Sequence, residues 1–234
     1  MTDRVVVVTG SSGGIGSAIA SRFTAAGDVV VGLDLLEGVD VSQPDDCREA
    51  TARVLAAHGR IDVLCNNAGV GAVGDVVAST PEDWERVFSV NVFGVANMSR
   101  AVLPVMRAAG RGVVVNTCSV VASVGLVERA VYSASKGAVL ALTRAMAVDE
   151  LPYGIRVNCV SPGTVASPWV ERTVAAQPDP DAALEALRRR QPLGRMVTCD
   201  EVAAAVVYLA DDSTFTTGAD LLLDGGITGV RVVE

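Results

Sequence analysis

The chain has 234 residues, which fits one α/β domain and is too short for two of full size. Half of the residues are hydrophobic but only 4% are aromatic, so Val, Ala and Leu must build the core. A formal net charge of -8 and a pI near 4.7 argue against nonspecific binding to nucleic acid or an anionic membrane.

Apolar β-branched runs alternate with helical patterns along the chain. Strands are expected at Val5–Val8, Val29–Leu33, Ile61–Cys65, Val113–Thr117, Ile155–Val160 and Ala219–Leu223. Helices are expected at Ile15–Ala26, Asp45–Ala57, Pro81–Ala108, Val131–Leu151 and Asp200–Ala210. Near-continuous apolar strands separated by helices predict a doubly wound α/β fold, a Rossmann-type parallel sheet covered on both faces. Residues 1–234 read as one domain, with no linker or repeat. Gln177-Pro178-Asp179-Pro180 divides two short helical patterns, and 168–197 reads as a substrate-covering flap. Cys47, Cys65, Cys118, Cys159 and Cys199 are scattered without a CxxC pair and read as small buried hydrophobes, not as disulfide or metal ligands. MTDRVVVVTG enters a strand without a basic leader, and no apolar run approaches the ~18 residues of a membrane span. A soluble, cytoplasmic protein is expected.

TGSSGGIG at positions 9–16 joins the first strand to the first helix. Glycines at Gly10, Gly14 and Gly16 let backbone amides approach a pyrophosphate, and the helix N-terminus adds partial positive charge. Their spacing is TGxxxGxG, not GxGxxG, and no Lys-Ser/Thr follows, which disfavours a nucleotide triphosphatase. Asp34 lies 20 residues after Gly14, at the end of the second strand, where a carboxylate accepts from adenosine ribose hydroxyls. With no Arg or Lys in the glycine turn to offset it, Asp34 favours NAD over NADP. A second aspartate, Asp40, follows after five intervening residues, too few for a parallel crossover.

NNAG at 66–69, Asn91 in VNVFG, Ser119, YSASK at 132–136 and Pro162-Gly163 complete a set that closely resembles the short-chain dehydrogenase/reductase family over residues 5–226. Tyr132 and Lys136 are i,i+4 neighbours on one helix face. A phenol is a poor base at neutral pH, and an ammonium ~4 Å away favours the phenolate by roughly 4 kcal/mol at an effective dielectric of ~20. Tyr132 is therefore the expected general acid/base, and Ser119 the hydrogen-bond donor to the reacting oxygen. The resemblance further assigns Lys136 to the nicotinamide ribose and Asn91 to a proton relay. It extends the dinucleotide site to Ser12, Ile15, Asn67, Ala68, Gly69, Pro162, Gly163, Val165 and Ser167. Ser167 stands where the family places a Thr, a mild departure. It also implies a helix and a strand between Asp34 and Asp40-Val41. Here the helix and most of that strand, between the family's second and fourth strands, are expected to be missing, with Asp40 and Val41 still flanking the adenine. His58, the only histidine, reads as a helix-end residue. No Ser-His or metal chemistry can be built on it.

The run NCVSPGTVASPW at 158–169, together with Arg129, three residues before Tyr132, and Arg190-Gln191, resembles the branch of cytosolic 3-hydroxybutyrate, sugar and sugar-acid dehydrogenases. The arginines are candidates to hold a substrate carboxylate or hydroxyls. Arg129 reads equally as an interface or surface ion pair, and Arg190 as a solvated helix end. Ser119, Arg129, Tyr132, Arg190 and Gln191 are the expected substrate contacts. The resemblance implies a homotetramer or homodimer. The alternatives are a 3-oxoacyl-thioester reductase of the same family and a noncatalytic NAD-binding sensor. A nucleotide-sugar epimerase is disfavoured by the glycine spacing.

Overall fold

The computed structural model describes residues 4–230. Six parallel strands form the central sheet: β1 Val5–Thr9, β2 Val29–Leu33, β3 Val63–Asn66, β4 Gly112–Thr117, β5 Ile155–Pro162 and β8 Asp220–Leu223. Their order is β2-β1-β3-β4-β5-β8. Alternation along β1 explains the two cores. Val5 and Val7 face one side with Leu64, Val114 and Val157, under α2 (Pro44–His58), α4 (Gly94–Ala109) and α5 (Ala130–Glu150). Val6 and Val8 face the other with Cys65, Val115 and Val160, under α1 (Gly14–Ala25) and α8 (Cys199–Ala210). Four of the five cysteines are buried in these layers, and all five are free thiols. The two remaining strands, β6 Val165–Ala166 and β7 Val197–Thr198, pair with each other. They bracket α6 (Pro168–Ala175) and α7 (Pro180–Arg189).

The chain order reverses at β1, whose neighbours are β2 and β3. The ligand crevice of such a sheet lies at the carboxyl ends of those strands. Thr9–Gly16, Asn66–Gly69, Thr117–Ser119 and Pro162–Ser167 all leave the sheet at carboxyl ends.

Between β2 and α2 the chain contains a 3-10 turn, Leu35–Glu37, and no strand. Gly38 turns in the left-handed region (φ 74), and Val39 and Val41 then drop into the core beside α2 and α4. The Asn97 side-chain amide donates to Val41 O (3.0 Å) and Ser42 O (3.3 Å), and Asp46 accepts from Asp40 N (3.0 Å). Gly94 makes room: a Cβ there would lie 2.7 Å from Val41 Cγ2. Gly94→Ala should therefore destabilise the protein by about 1 kcal/mol, the overpacking outweighing the gain in helix propensity. A lowered urea midpoint, largely recovered in Gly94→Ala/Val41→Ala, is the check.

One expected helix differs. Pro81–Ala108 is two helices, α3 (Pro81–Phe88) and α4, joined by a π turn at Ser89–Phe93 that carries Asn91. A capping box of Thr80 and Asp83 fixes the start of α3. The wide turn coincides with Asn91 hydrogen-bonding across to another segment.

Candidate active site

The glycine turn is built for close approach. Gly10 (φ 65) and Gly14 (φ 53) adopt left-handed backbone, and a Cβ on Gly16 would lie 2.0 Å from Gly10 O. No side chain caps α1, and its first turn holds no acidic residue, so its leading amides remain open to an anion. Ile15 is half-buried against the α1–α8 core. A dinucleotide pyrophosphate fits this cradle, where side chains would fill the space.

Asp34 is held beside the turn, its carboxylate accepting from Ser12 N and Leu36 N at 3.2 Å each. Glu37 folds back, with Oε1 3.8 Å from the position of a Cβ on Gly32. Asp40 lies further along, with Oδ1 accepting from Ser42 N (2.9 Å). The Val41 carbonyl is engaged by Asn97.

Thr9 ties β1 to β3, its hydroxyl accepting from Asn67 N and Ala68 N at 3.0 Å each. The Asn67 side chain is fully committed to structure. Its amide donates to Thr9 O and Gly10 O (3.2 Å each), and its oxygen accepts from Thr117 Oγ1 (3.3 Å). Asn67 can thus face a ligand only through its backbone.

Ser119, Tyr132 and Lys136 come from β4's exit and the start of α5. Ser119 is buried and caps the turn Val120–Ala122. Lys136, the only lysine of the chain, is 4% exposed and donates to Thr117 O at 2.8 Å. Its Nζ lies 5.7 Å from the centroid of the Tyr132 ring. The Cys118 thiol donates to Lys136 O (3.2 Å), pinning α5 to the sheet. Gly69 fits between Asn91 and Lys136: a Cβ on it would meet Asn91 Oδ1 at 3.2 Å and Lys136 Nζ at 3.6 Å.

Asn91 is 1% exposed and its side chain is spent on protein groups. Oδ1 accepts from Val70 N (2.8 Å), while Nδ2 donates to Val70 O (2.9 Å) and Ser135 Oγ (3.0 Å). Ser135, which the sequence did not single out, passes the link on to Tyr132 O (2.8 Å).

Val70 begins a strap across the front of the site. Gly74 closes it, donating to Glu128 O (3.0 Å) and accepting from Ala130 N (3.1 Å). Glu128 is the only non-glycine residue with positive φ among those described, and Arg129 follows it directly. Arg190 at the end of α7 is surface-exposed, yet partial desolvation, and then the charge of Arg129, push its guanidinium below the usual arginine value. Neither arginine forms a salt bridge among the described residues.

On the far wall, Ser167 caps α6 through Val170 N, and its Cβ lies 3.8 Å from where a Gly14 Cβ would stand. Val165 is buried, and Gly163 N donates to Leu223 O (3.0 Å) at the end of β5 beside Pro162. Gln191, expected to touch substrate, is buried instead, and both ends of its amide are bonded to backbone.

A glycine turn at the carboxyl edge of a parallel sheet, with Asp34 beside it and Lys136 packed against the Tyr132 ring below the exit of β4, is the frame of a nucleotide-binding α/β fold. The family model described as "Enoyl-(Acyl carrier protein) reductase" matches residues 36–228. L-fucose dehydrogenase of Bos taurus is 37% identical over 240 residues, covering 95% of this chain and 88% of the relative. Dehydrogenase/reductase SDR family member 6 of Danio rerio is 38% identical over 236 residues, covering 95% and 96%. The ligand-free aldohexose dehydrogenase of Thermoplasma acidophilum superposes with a TM-score of 0.90 at 31% identity, covering 99% of this chain and 98% of that one. The chain belongs to the short-chain dehydrogenase/reductase family, and is an oxidoreductase acting on CH–OH groups. No helix among the described residues is long and apolar enough to cross a membrane.

Proposed function

We propose that the protein is an NAD-dependent dehydrogenase. It interconverts a secondary alcohol and a ketone, or a sugar hemiacetal and a lactone, on a small hydroxy acid, sugar or sugar acid. What supports this reading is Lys136, bonded to Thr117 O and lying beside the Tyr132 ring, with Ser119 just after β4 and a glycine cradle that only backbone can line. Gly10, Ser12, Gly14, Ile15 and Gly16 hold the pyrophosphate side. Asp34 takes the adenosine ribose, Asp40 and Val41 flank the adenine, and Asn67–Gly69 with Pro162–Ser167 line the remaining length. The bound dinucleotide supplies the hydride acceptor or donor at its nicotinamide.

Ser119 donates a hydrogen bond to the substrate oxygen and stabilises charge developing there. Tyr132 exchanges the proton at that same oxygen. Lys136, held by Thr117 O, places its Nζ beside the Tyr132 ring and steadies the start of α5 against the exit of β4. With the Asn91 side chain committed to Val70 and Ser135, the relay assigned to Asn91 falls to its main-chain carbonyl in the widened π turn. Arg129 and Arg190, which form no salt bridge among the described residues and lie near enough for the charge of one to act on the other, are the candidates to meet a substrate anion. Self-association through α4 and α5 is part of the proposal, and exposed Val148 on α5, with Phe93 just before α4 and Leu151 just after α5, favours it.

Incubation with NAD and a panel of small hydroxy acids, aldoses and aldonic acids should yield absorbance at the NADH band. Turnover of ketoacyl thioesters with NADPH, and of no panel member, would instead make it an acyl-thioester reductase. If the productive substrate is an acid, Arg129→Ala and Arg190→Ala should each raise its KM about tenfold or more, the cost of a lost charge-assisted hydrogen bond. The KM for a neutral aldose should not move. An unmoved KM for the acid would return both arginines to the solvated surface.

A further inference from the structure

We infer that Gln191 is a positioning residue: it fixes the Gly163–Thr164 backbone to the end of the flap helix α7, and thereby sets the far wall of the dinucleotide cleft. What that wall binds rests on the cofactor assignment proposed above. The clasp itself rests on the contacts of one side chain.

Gln191 is 2% exposed, although it follows three arginines at the end of a surface helix. A buried carboxamide is costly unless its donors and acceptor are satisfied. Here Oε1 accepts from Thr164 N at 2.9 Å, and Nε2 donates to Leu187 O at 2.7 Å, one turn back along α7. The backbone is tied as well, with Gln191 N donating to Arg188 O (3.2 Å) and Gln191 O accepting from Gly194 N (2.8 Å).

Two glycines leave the space that this side chain fills. A Cβ on Gly225 (φ 61) would lie 3.0 Å from Gln191 Cβ, and one on Gly163 would lie 3.1 Å from Gln191 Oε1. Gly225 belongs to the turn after β8, which is itself fixed: the Asp224 carboxylate accepts from Gly226 N and Thr228 N at 2.8 Å each. Leu193 N donates to Gly225 O (3.1 Å), so the segment after α7 lies along that turn. The exits of β5 and β8 and the end of α7 thus meet around one amide.

The chemistry of a positioner differs from that of a substrate ligand. An amide committed at both ends to backbone within its own clasp holds its neighbours in register. Arg190 is exposed and near enough to Arg129 to feel its charge, while the next residue reaches inward to Thr164. Consecutive residues therefore serve the substrate side and the cofactor side of the cleft.

Gln191→Leu removes the acceptor at nearly constant volume, and Gln191→Glu keeps an oxygen facing Thr164 N. In Gln191→Leu, hydrogen–deuterium exchange at the Thr164 amide should accelerate about tenfold or more, the loss of one buried hydrogen bond, with the β5 amides before it unchanged. The NADH dissociation constant, followed by fluorescence, should rise by a similar factor, and Gln191→Glu, which keeps the acceptor for Thr164 N but loses the donor to Leu187 O, should recover only part of both effects. Unchanged Thr164 exchange in Gln191→Leu would overturn the inference. So would normal NADH affinity alongside a KM rise confined to the alcohol substrate, which would make Gln191 a substrate contact. A purely structural role would lower the unfolding midpoint and leave Thr164 exchange and NADH affinity at wild-type values, which also overturns it. If the wild type bound neither NADH nor NADPH, the cofactor assignment would fail, while the exchange measurement would still decide whether Gln191 holds the loop.

Discussion

Tyr132→Phe should lower turnover by about 10²- to 10⁴-fold, the usual worth of a positioned general acid/base, while NADH binding stays within a few-fold of wild type. The ring remains to pack at the start of α5, so only the hydroxyl is lost. No neighbour can take its place. Lys136 Nζ is directed to Thr117 O, the Asn91 side chain is fully bonded, and the Cys118 thiol donates to Lys136 O beneath the helix. His58 is exposed at the end of α2, far along the chain from the cluster. Ser119 stays in place to bind the substrate oxygen, so KM should change less than kcat. Undiminished turnover in Tyr132→Phe would remove Tyr132 from the chemistry. Turnover absent from both proteins on every alcohol and ketone offered, with NADH bound equally by both, would favour the noncatalytic sensor.

Local spacing made the centre of the site legible. TGSSGGIG is a strand-to-helix turn in sequence and in structure, and YSASK sets Tyr132 and Lys136 one helical turn apart whatever surrounds them. Apolar runs also located all six strands of the sheet, because a strand buried on both faces admits few polar residues. Its ends were less legible: β3 begins at Val63 and not Ile61, where the Asp62 carboxylate accepts Val5 N at 2.8 Å. The π turn around Asn91 escaped because one extra residue hardly disturbs apolar periodicity. Long-range hydrogen bonds were invisible altogether. Thr9, Ser135, and the ladder in which Asn66 donates to Asn116 (2.9 Å) and Asn116 to Thr143 (2.9 Å) join residues far apart in sequence. A polar residue closing an apolar strand, as Asn66 and Asn116 do, was the available signal. Gln191 was expected at the substrate from the resemblance of Arg190-Gln191 to one branch of the family, and its burial depends on the turn after β8, which the local sequence does not show.

Wild-type protein should prefer NAD over NADP by about 10²-fold in kcat/KM, and Asp34→Asn should remove most of that preference. A phosphate oxygen ~4 Å from the Asp34 carboxylate meets repulsion of roughly 4 kcal/mol per unit charge at an effective dielectric of ~20, and screening at a half-exposed site reduces this. Glu37 adds a second carboxylate near Gly32, and no Arg or Lys lies in the glycine turn to offset the two. Asn is the informative replacement. It keeps an oxygen for Ser12 N or Leu36 N, so the 3-10 turn retains a cap while the charge is gone. NADP activity should then rise and NAD activity fall about tenfold, since hydrogen bonds from ribose hydroxyls to a carboxylate outweigh those to a neutral amide. The discrimination of the wild type should also shrink as ionic strength is raised, because it is electrostatic. Equal use of both dinucleotides by the wild type, or a preference that Asp34→Asn and salt leave untouched, would mean that the short turn after β2 presents the adenosine ribose to some other group.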